Sequence, residues 1–379
     1  MRQDDQEALP LDWYREMRQS HPVTYDDREQ QWMVFRYADV RRVLSEHETF
    51  SSEVESHGHT LTPLDVSLIA LDPPRHRHLR ALVTQVFTPR TVASLEPRLT
   101  ALVNELLDQR VEAGMLDVID DLAYPLTVTM IAELLGIPVL DRAHFRRWSD
   151  QLASIVPFDG TNFMGEMEAY FSCLLAERRR APQADLLSAL QTAQIEGQYL
   201  SKLEILGFCI LLLVAGNVTT THLLGNAFLC LDAFPQVRAH IEERPDQIFS
   251  VLEEVLRYRS PIRFMFRVAK RDIVLGGQDI LAGQWVTAWL ASANHDETIF
   301  PDPERFDPQR SPNPHLSFGY GIHYCLGASL ARLESRIVLE SMVRRFASFQ
   351  RLPGSRLQPL SAQSFMQGVL HLPIMFASR

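Results

Sequence analysis

Phe318-Gly319-Tyr320-Gly321-Ile322-His323-Tyr324-Cys325-Leu326-Gly327 sets one cysteine in a glycine-rich loop that opens into a helical pattern. The anionic form of a cysteine is the strong metal ligand, and it persists only where its charge is offset. This stretch offers three offsets: glycines that let backbone N–H groups turn toward the sulfur, the positive end of a helix starting near Leu326, and a bound metal. A lone cysteine beside a glycine turn is otherwise an inert buried thiol. The weight therefore rests on the whole pattern rather than on Cys325 alone.

Ala215-Gly216-Asn217-Val218-Thr219 carries the other candidate chemistry. Gly216 thins a helix locally, and the Thr219 hydroxyl can turn back to the carbonyl of Ala215 one turn earlier, loosening the ladder into a groove for a small ligand. The alternative is a threonine run tolerated inside a long helix. Glu254 and Arg257, three apart on a helical pattern, share a face and can pair.

The elements that must position these residues are mainly helical. Ser201-Lys202-Leu203-Glu204 fits a capping box, and the apolar pattern after it runs to about Leu231 before Pro235. Roughly thirty residues at about 1.5 Å each give ~45 Å, enough to cross a whole domain. A second helix is predicted from near Asp246 to Tyr258. Strands are expected at Trp32–Phe35, and at Asp272–Gly277 and Gln284–Trp289 joined by a glycine-bearing connection. The fold class is mainly α with small β-sheets.

The 379 residues show no linker, repeat or low-complexity tract, so residues 1–379 are expected to form one domain. A net charge of −10 argues against nucleic acid as a general partner. The four cysteines include no C-x-x-C pair, and Cys173, Cys209 and Cys230 read as buried helical residues of a reducing compartment. The polar start and the short apolar run Ile205–Ala215 favour a cytoplasmic protein without a membrane span.

In their order and spacing these motifs resemble bacterial soluble cytochromes P450 over nearly the whole chain. The resemblance implies a long central helix over a buried heme b, with Cys325 as the iron ligand in a loop that includes Phe318. It implies that His76, Arg80, Arg267 and His323 hold the heme carboxylates, and that Arg310 joins Glu254 and Arg257 in a buried ion network. Ala215, Gly216 and Thr219 would form the groove for O2, with Thr219 steering protonation. The family usually has Asp or Glu immediately before this threonine, where this chain has Val218, so the usual proton relay lacks its acid. The histidine spacings of His57-Gly58-His59 and the His76 run also suggest zinc, but no cysteine or carboxylate completes a ligand set.

By position in the family, Leu64, Ile69, Leu212, Ile262, Phe264, Phe365 and Met366 would line a substrate pocket. Their apolar character favours a lipophilic substrate such as a steroid, terpenoid, fatty acid or macrolide-like product. Arg263 is the one charged candidate there. Electrons would come from a separate ferredoxin or flavodoxin-like donor steered by Arg75, Arg77, Arg80 and Arg90, and the protein would act as a monomer. The implied function is hydroxylation with O2. The alternatives are peroxide-driven oxidation, prompted by Val218, and a non-catalytic heme sensor or carrier.

Overall fold

The computed structural model describes residues 9–53, 62–84, 87–138, 141–153, 160–195, 197–362 and 364–379. His57 and His59 lie outside them. One helix, Lys202–Ala233, organises the rest. Its capping box closes both ways: the Glu204 N–H donates to Ser201 Oγ (3.2 Å) and the Ser201 N–H to Glu204 Oε2 (2.8 Å). Glu204 also accepts from Arg75 Nε (2.7 Å), which ties the segment carrying His76 and Arg80 to this helix start.

By length and composition the long helix passes for a membrane span, yet its most apolar stretch is 67% buried. The helices Tyr124–Leu135, Arg142–Leu152, Ile248–Tyr258 and Ala328–Arg345 pack around it. A helix apolar all round is stable when its neighbours cover every face.

A five-stranded sheet covers one side, in the order Val23–Asp26, Gln31–Val34, Trp285–Ala288, Met265–Ala269 and Phe50–Ser51. Only Gln31–Val34 and Trp285–Ala288 run parallel. The expected link between the Asp272 and Gln284 runs is not a strand pair. Ile273–Leu275 instead folds back on the short strand Gln278–Ile280. The turn between them has Gly276 at φ +56° and Gly277 at φ +81°, a left-handed pair that suits a tight hairpin. The sequence hid this partner because Gln278-Asp279-Ile280 is short and mostly polar.

Cys209 and Cys230 are buried on the long helix, but Cys173 is exposed, contrary to its apolar neighbourhood in sequence. It falls on the outer face of the amphipathic helix Phe163–Arg180, which buries Phe171, Leu174 and Leu175 instead.

Glu334, in the helix after Cys325, is 1% exposed, and burial pushes its carboxyl up to about 8. The folded state therefore holds a proton that the unfolded chain, with a carboxyl near about 4.3, releases. Its contribution to stability is present at low pH and is lost as pH rises from the unfolded value through about 8. Glu334→Gln is expected to flatten that loss, by up to about 1.4 kcal/mol per pH unit. Denaturant unfolding at several pH values between those limits checks it; identical slopes in the two proteins would refute it.

Candidate active site

The cysteine loop is shaped by its glycines. Gly319 and Gly321 adopt φ +72° and +74°, where side chains are strained. At Gly321 there is also no room, since a Cβ would lie 3.0 Å from Ser45 Cα and 3.1 Å from the Leu44 carbonyl oxygen. The Cys325 N–H donates to the Phe318 carbonyl (2.8 Å) and closes the turn. The helix begins at Ala328, two residues later than the sequence suggests. Burial raises the Cys325 thiol above its ordinary pKa, while the N–H groups of Gly327 and Ala328 and the charges of Arg80 and Arg332 pull the other way. A half-buried cysteine with this much positive surround is set to become an anion once a cation binds it.

Arg332 escaped the sequence reading. Its guanidinium stacks 4.4 Å over the Phe318 ring and forks onto Glu253 (2.7 and 2.9 Å). Burial would raise the Glu253 carboxyl, but Arg332 and His315 bring it down to about 2. The signal was present: Arg332 sits one turn into the helix that follows the Cys325 loop.

Four basic side chains gather beside this loop. The rings of His76 and His323 are 4.4 Å apart, and His323 Nε2 lies 2.9 Å from Ser52 Oγ. Burial, then the charges of Arg267, His76 and Arg80, lower His323 to about 2. Burial and Arg80 lower His76 to about 4, and its buried Nε2 has no hydrogen-bond partner. Burial lowers Arg267 to about 10. The nearby carboxylate, Asp72, already accepts from Ser51 Oγ (2.6 Å), the Ser52 N–H (3.2 Å) and Lys270 Nζ (3.3 Å). The cluster is short of negative charge.

On the long helix, Thr219 Oγ1 donates to the Ala215 carbonyl (2.7 Å), and Ala215 is exposed on the same face. Gly216 departs from the expected groove. Its missing Cβ is occupied by Ile131 of the helix Tyr124–Leu135, so its bareness serves helix packing. The helical period explains this, since residue 216 lies about 100° round from 215. Val218 is 3% exposed among Ala153, Leu360 and Met366, an apolar setting. Asn217 turns to a buried polar patch, accepting from Thr127 Oγ1 (2.7 Å).

Glu254 and Arg257 are both fully buried and paired at 2.7 and 2.9 Å. Arg257 also donates to the carbonyls of Asn294 (3.0 Å), Pro303 (2.8 Å) and Arg305 (3.1 Å). Glu254 accepts from the Asp307 N–H (2.8 Å) and Asn313 Nδ2 (3.2 Å), and Arg310 Nε stands 3.6 Å away. Asn294 carries the connection onward, accepting from the Leu316 N–H (2.7 Å) and donating to Ser317 Oγ (2.8 Å), just before the cysteine loop.

The cytochrome P450 family model matches residues 161–374. Erythromycin C-12 hydroxylase from Saccharopolyspora erythraea is 40% identical over 386 residues, covering 99% of this chain and 96% of that protein. The chain belongs to the cytochrome P450 family. A crystal structure of CYP109E1 from Bacillus megaterium with testosterone superposes with a TM-score of 0.93 at 37% identity, covering 99% of each chain. The cyclomarin C epoxidase CymV of Salinispora arenicola is 40% identical, over 89% of each. The reaction class of this P450 is that of a monooxygenase, and its fold implies heme iron.

The residues of this P450 fit such a group. Heme brings an iron that a buried thiolate can hold and two carboxylates that an anion-poor set of two histidines and two arginines can bind. Of the pocket candidates, Ile262, Phe365 and Met366 meet in one apolar cluster with Val214 and Val218. Leu212 and Leu64 belong to a different cluster. Ile69 is exposed, and Phe264 packs tilted against Trp289 (4.7 Å) and edge-on against Phe266 (5.2 Å). Of the arginines expected to meet an electron donor, Arg75 is engaged by Glu204 and Arg80 is half-buried near Cys325, leaving Arg77 and Arg90 exposed.

Proposed function

We propose that this chain is a single heme domain that hydroxylates a lipophilic small molecule in the cytosol. Cys325 would hold heme b, and a ferredoxin or flavodoxin-like protein would supply electrons. The observation that carries this is the convergence of the Cys325 loop with the anion-poor cluster of His76, Arg80, Arg267 and His323. Bound heme supplies O2 activation, in which one oxygen atom enters a C–H bond and the other leaves as water at the expense of two electrons and two protons.

The chain's own residues bind, orient and deliver protons. His76, His323, Arg80 and Arg267 orient the group through its carboxylates. Thr219, whose hydroxyl proton goes to the Ala215 carbonyl, would offer its oxygen as the acceptor that steadies a water, and that water would carry the proton. The apolar wall of Ile262, Phe365 and Met366 excludes bulk water from the reacting carbon. A testosterone complex and an erythromycin hydroxylase among the relatives support a lipophilic substrate.

Titration of the heme-loaded protein with steroids, terpenoids, fatty acids and macrolides is expected to give a saturable low- to high-spin shift with one class. Turnover of that compound with a donor protein should yield a hydroxylated product. Thr219→Ala is expected to divert electrons to hydrogen peroxide, lowering product per electron about tenfold or more. A protein that binds no heme, or none of the compounds, would overturn the reading; unchanged coupling would remove Thr219 from its role. The apolar seat of Val218 favours a second reading, oxidation driven by added peroxide, which would appear as product without any electron donor.

A further inference from the structure

The first turns of the long helix border a cavity of about 500 Å³ that lies apart from the candidate active site. At about 1.5 Å per residue, Lys202 on its edge stands about 25 Å along the helix from Thr219. The helices Phe163–Arg180 and Leu186–Thr192, the strand Gln198–Tyr199 and the start of the long helix wall it. The substrate-wall residues Ile262, Phe365 and Met366 do not border it.

The floor of this cavity is apolar, since Leu175, Leu200 and Ile205 border it and are buried. Its rim is cationic. Arg179 shares a helical face with Leu175, four residues earlier, and Lys202 lies across the space; both are exposed. A third cation, Arg178, is already held by Asp185 and the Gly136 carbonyl. Among the described residues Arg179 and Lys202 have no ion-pair partner, and no carboxylate lines the cavity. That is unexpected in a chain of net charge −10. A cavity of about 330 Å³ elsewhere shows the contrast: there Arg15 pairs with Glu304 and Arg18 with Glu297, so its charges are answered from within.

We propose that this cavity is a second binding site, separate from the substrate cavity, for a small amphipathic carboxylate. The apolar body of the ligand lies on Leu175, Leu200 and Ile205, and its carboxylate is held by Arg179 and Lys202. Tyr199, 64% exposed and bordering the same space, lays its ring along that body. A concavity of this volume suits a small molecule, with an apolar lining for most of the surface and a few polar groups for orientation. Drying the floor strengthens the charge-assisted bonds at the rim, and a neutral ligand of the same shape forgoes them.

Calorimetry on the heme-loaded protein at neutral pH, with the heme absorption band followed in parallel, compares decanoate with decanamide, which has the same chain and no charge. The acid is expected to bind at least tenfold tighter, a margin of about 1.4 kcal/mol. The ratio should fall to about one when Arg179→Gln and Lys202→Gln are combined. Both side chains are exposed, so the double variant is expected to fold as the parent does. Tyr199→Ser should weaken acid and amide alike, by about threefold or more, and leave their ratio intact. Equal affinities in the unsubstituted protein, no binding of either compound, or an acid preference that survives the double substitution would overturn the proposal. So would a heme spin shift that follows the acid's binding curve identically in parent and double variant, since it would place that binding at the iron.

Discussion

Cys325→Ser is expected to abolish the thiolate signature of the reduced carbonyl form and to lower monooxygenase turnover by at least about a hundredfold, or ~2.7 kcal/mol. The loop would survive, because the bond that closes it runs from the residue 325 N–H to the Phe318 carbonyl and leaves the side chain out. The surround of Gly327 and Ala328 N–H groups, Arg80 and Arg332 is matched to an anionic sulfur. A neutral hydroxyl donates far less charge to a metal, and a serine alkoxide is not accessible near neutral pH. Absorption spectra of the reduced carbonyl complex, together with product rates, check this. A variant that keeps both the spectrum and the rate would remove Cys325 from the iron.

Glu254→Gln is expected to cost roughly 3–5 kcal/mol in unfolding free energy and to release heme. The carboxylate is wholly buried and takes hydrogen bonds from Arg257, Asp307 and Asn313. Its loss leaves the Arg257 guanidinium charged and uncompensated in the interior, since the other acceptors of Arg257 are neutral carbonyls. The damage should reach the cysteine loop through Asn294, whose carbonyl receives Arg257 and whose side chain holds Leu316 and Ser317. Replacing both Glu254 and Arg257 with apolar residues should cost less than the sum of the single changes. Denaturant melts with heme-to-protein ratios measure both effects. A single variant losing under about 1 kcal/mol with full heme content would show that the pair is not what sets the loop.

The class of fold, the long helix and its capping box, and membership of the P450 family were all legible in the order of residues. Each depends on short-range rules: a cap and its partner three residues on, an apolar pattern of helical period, a glycine-flanked cysteine. The site was legible as a set of residues but not as an arrangement. Gly216 and Ala215 are neighbours in sequence and part company in space, because the helix turns one toward Ile131 and leaves the other exposed. Arg332 and Glu253 pair across 79 positions, and no local pattern announces a partner that distant.

The sequence by itself determined the long helix and the glycine turn that carries Cys325, because caps, turns and periodicity act within a few residues, and its motifs carried the family resemblance that implies an iron ligand and partners for two carboxylates. The tertiary structure alone decided which charges are answered and which are not. Asp72 is spent on Ser51 and Lys270, Arg75 on Glu204, and Arg263 on nothing stronger than a long contact to a carbonyl. Pairing and burial are set by packing between segments far apart in the chain, and the resulting electrostatic balance exists only once those segments meet.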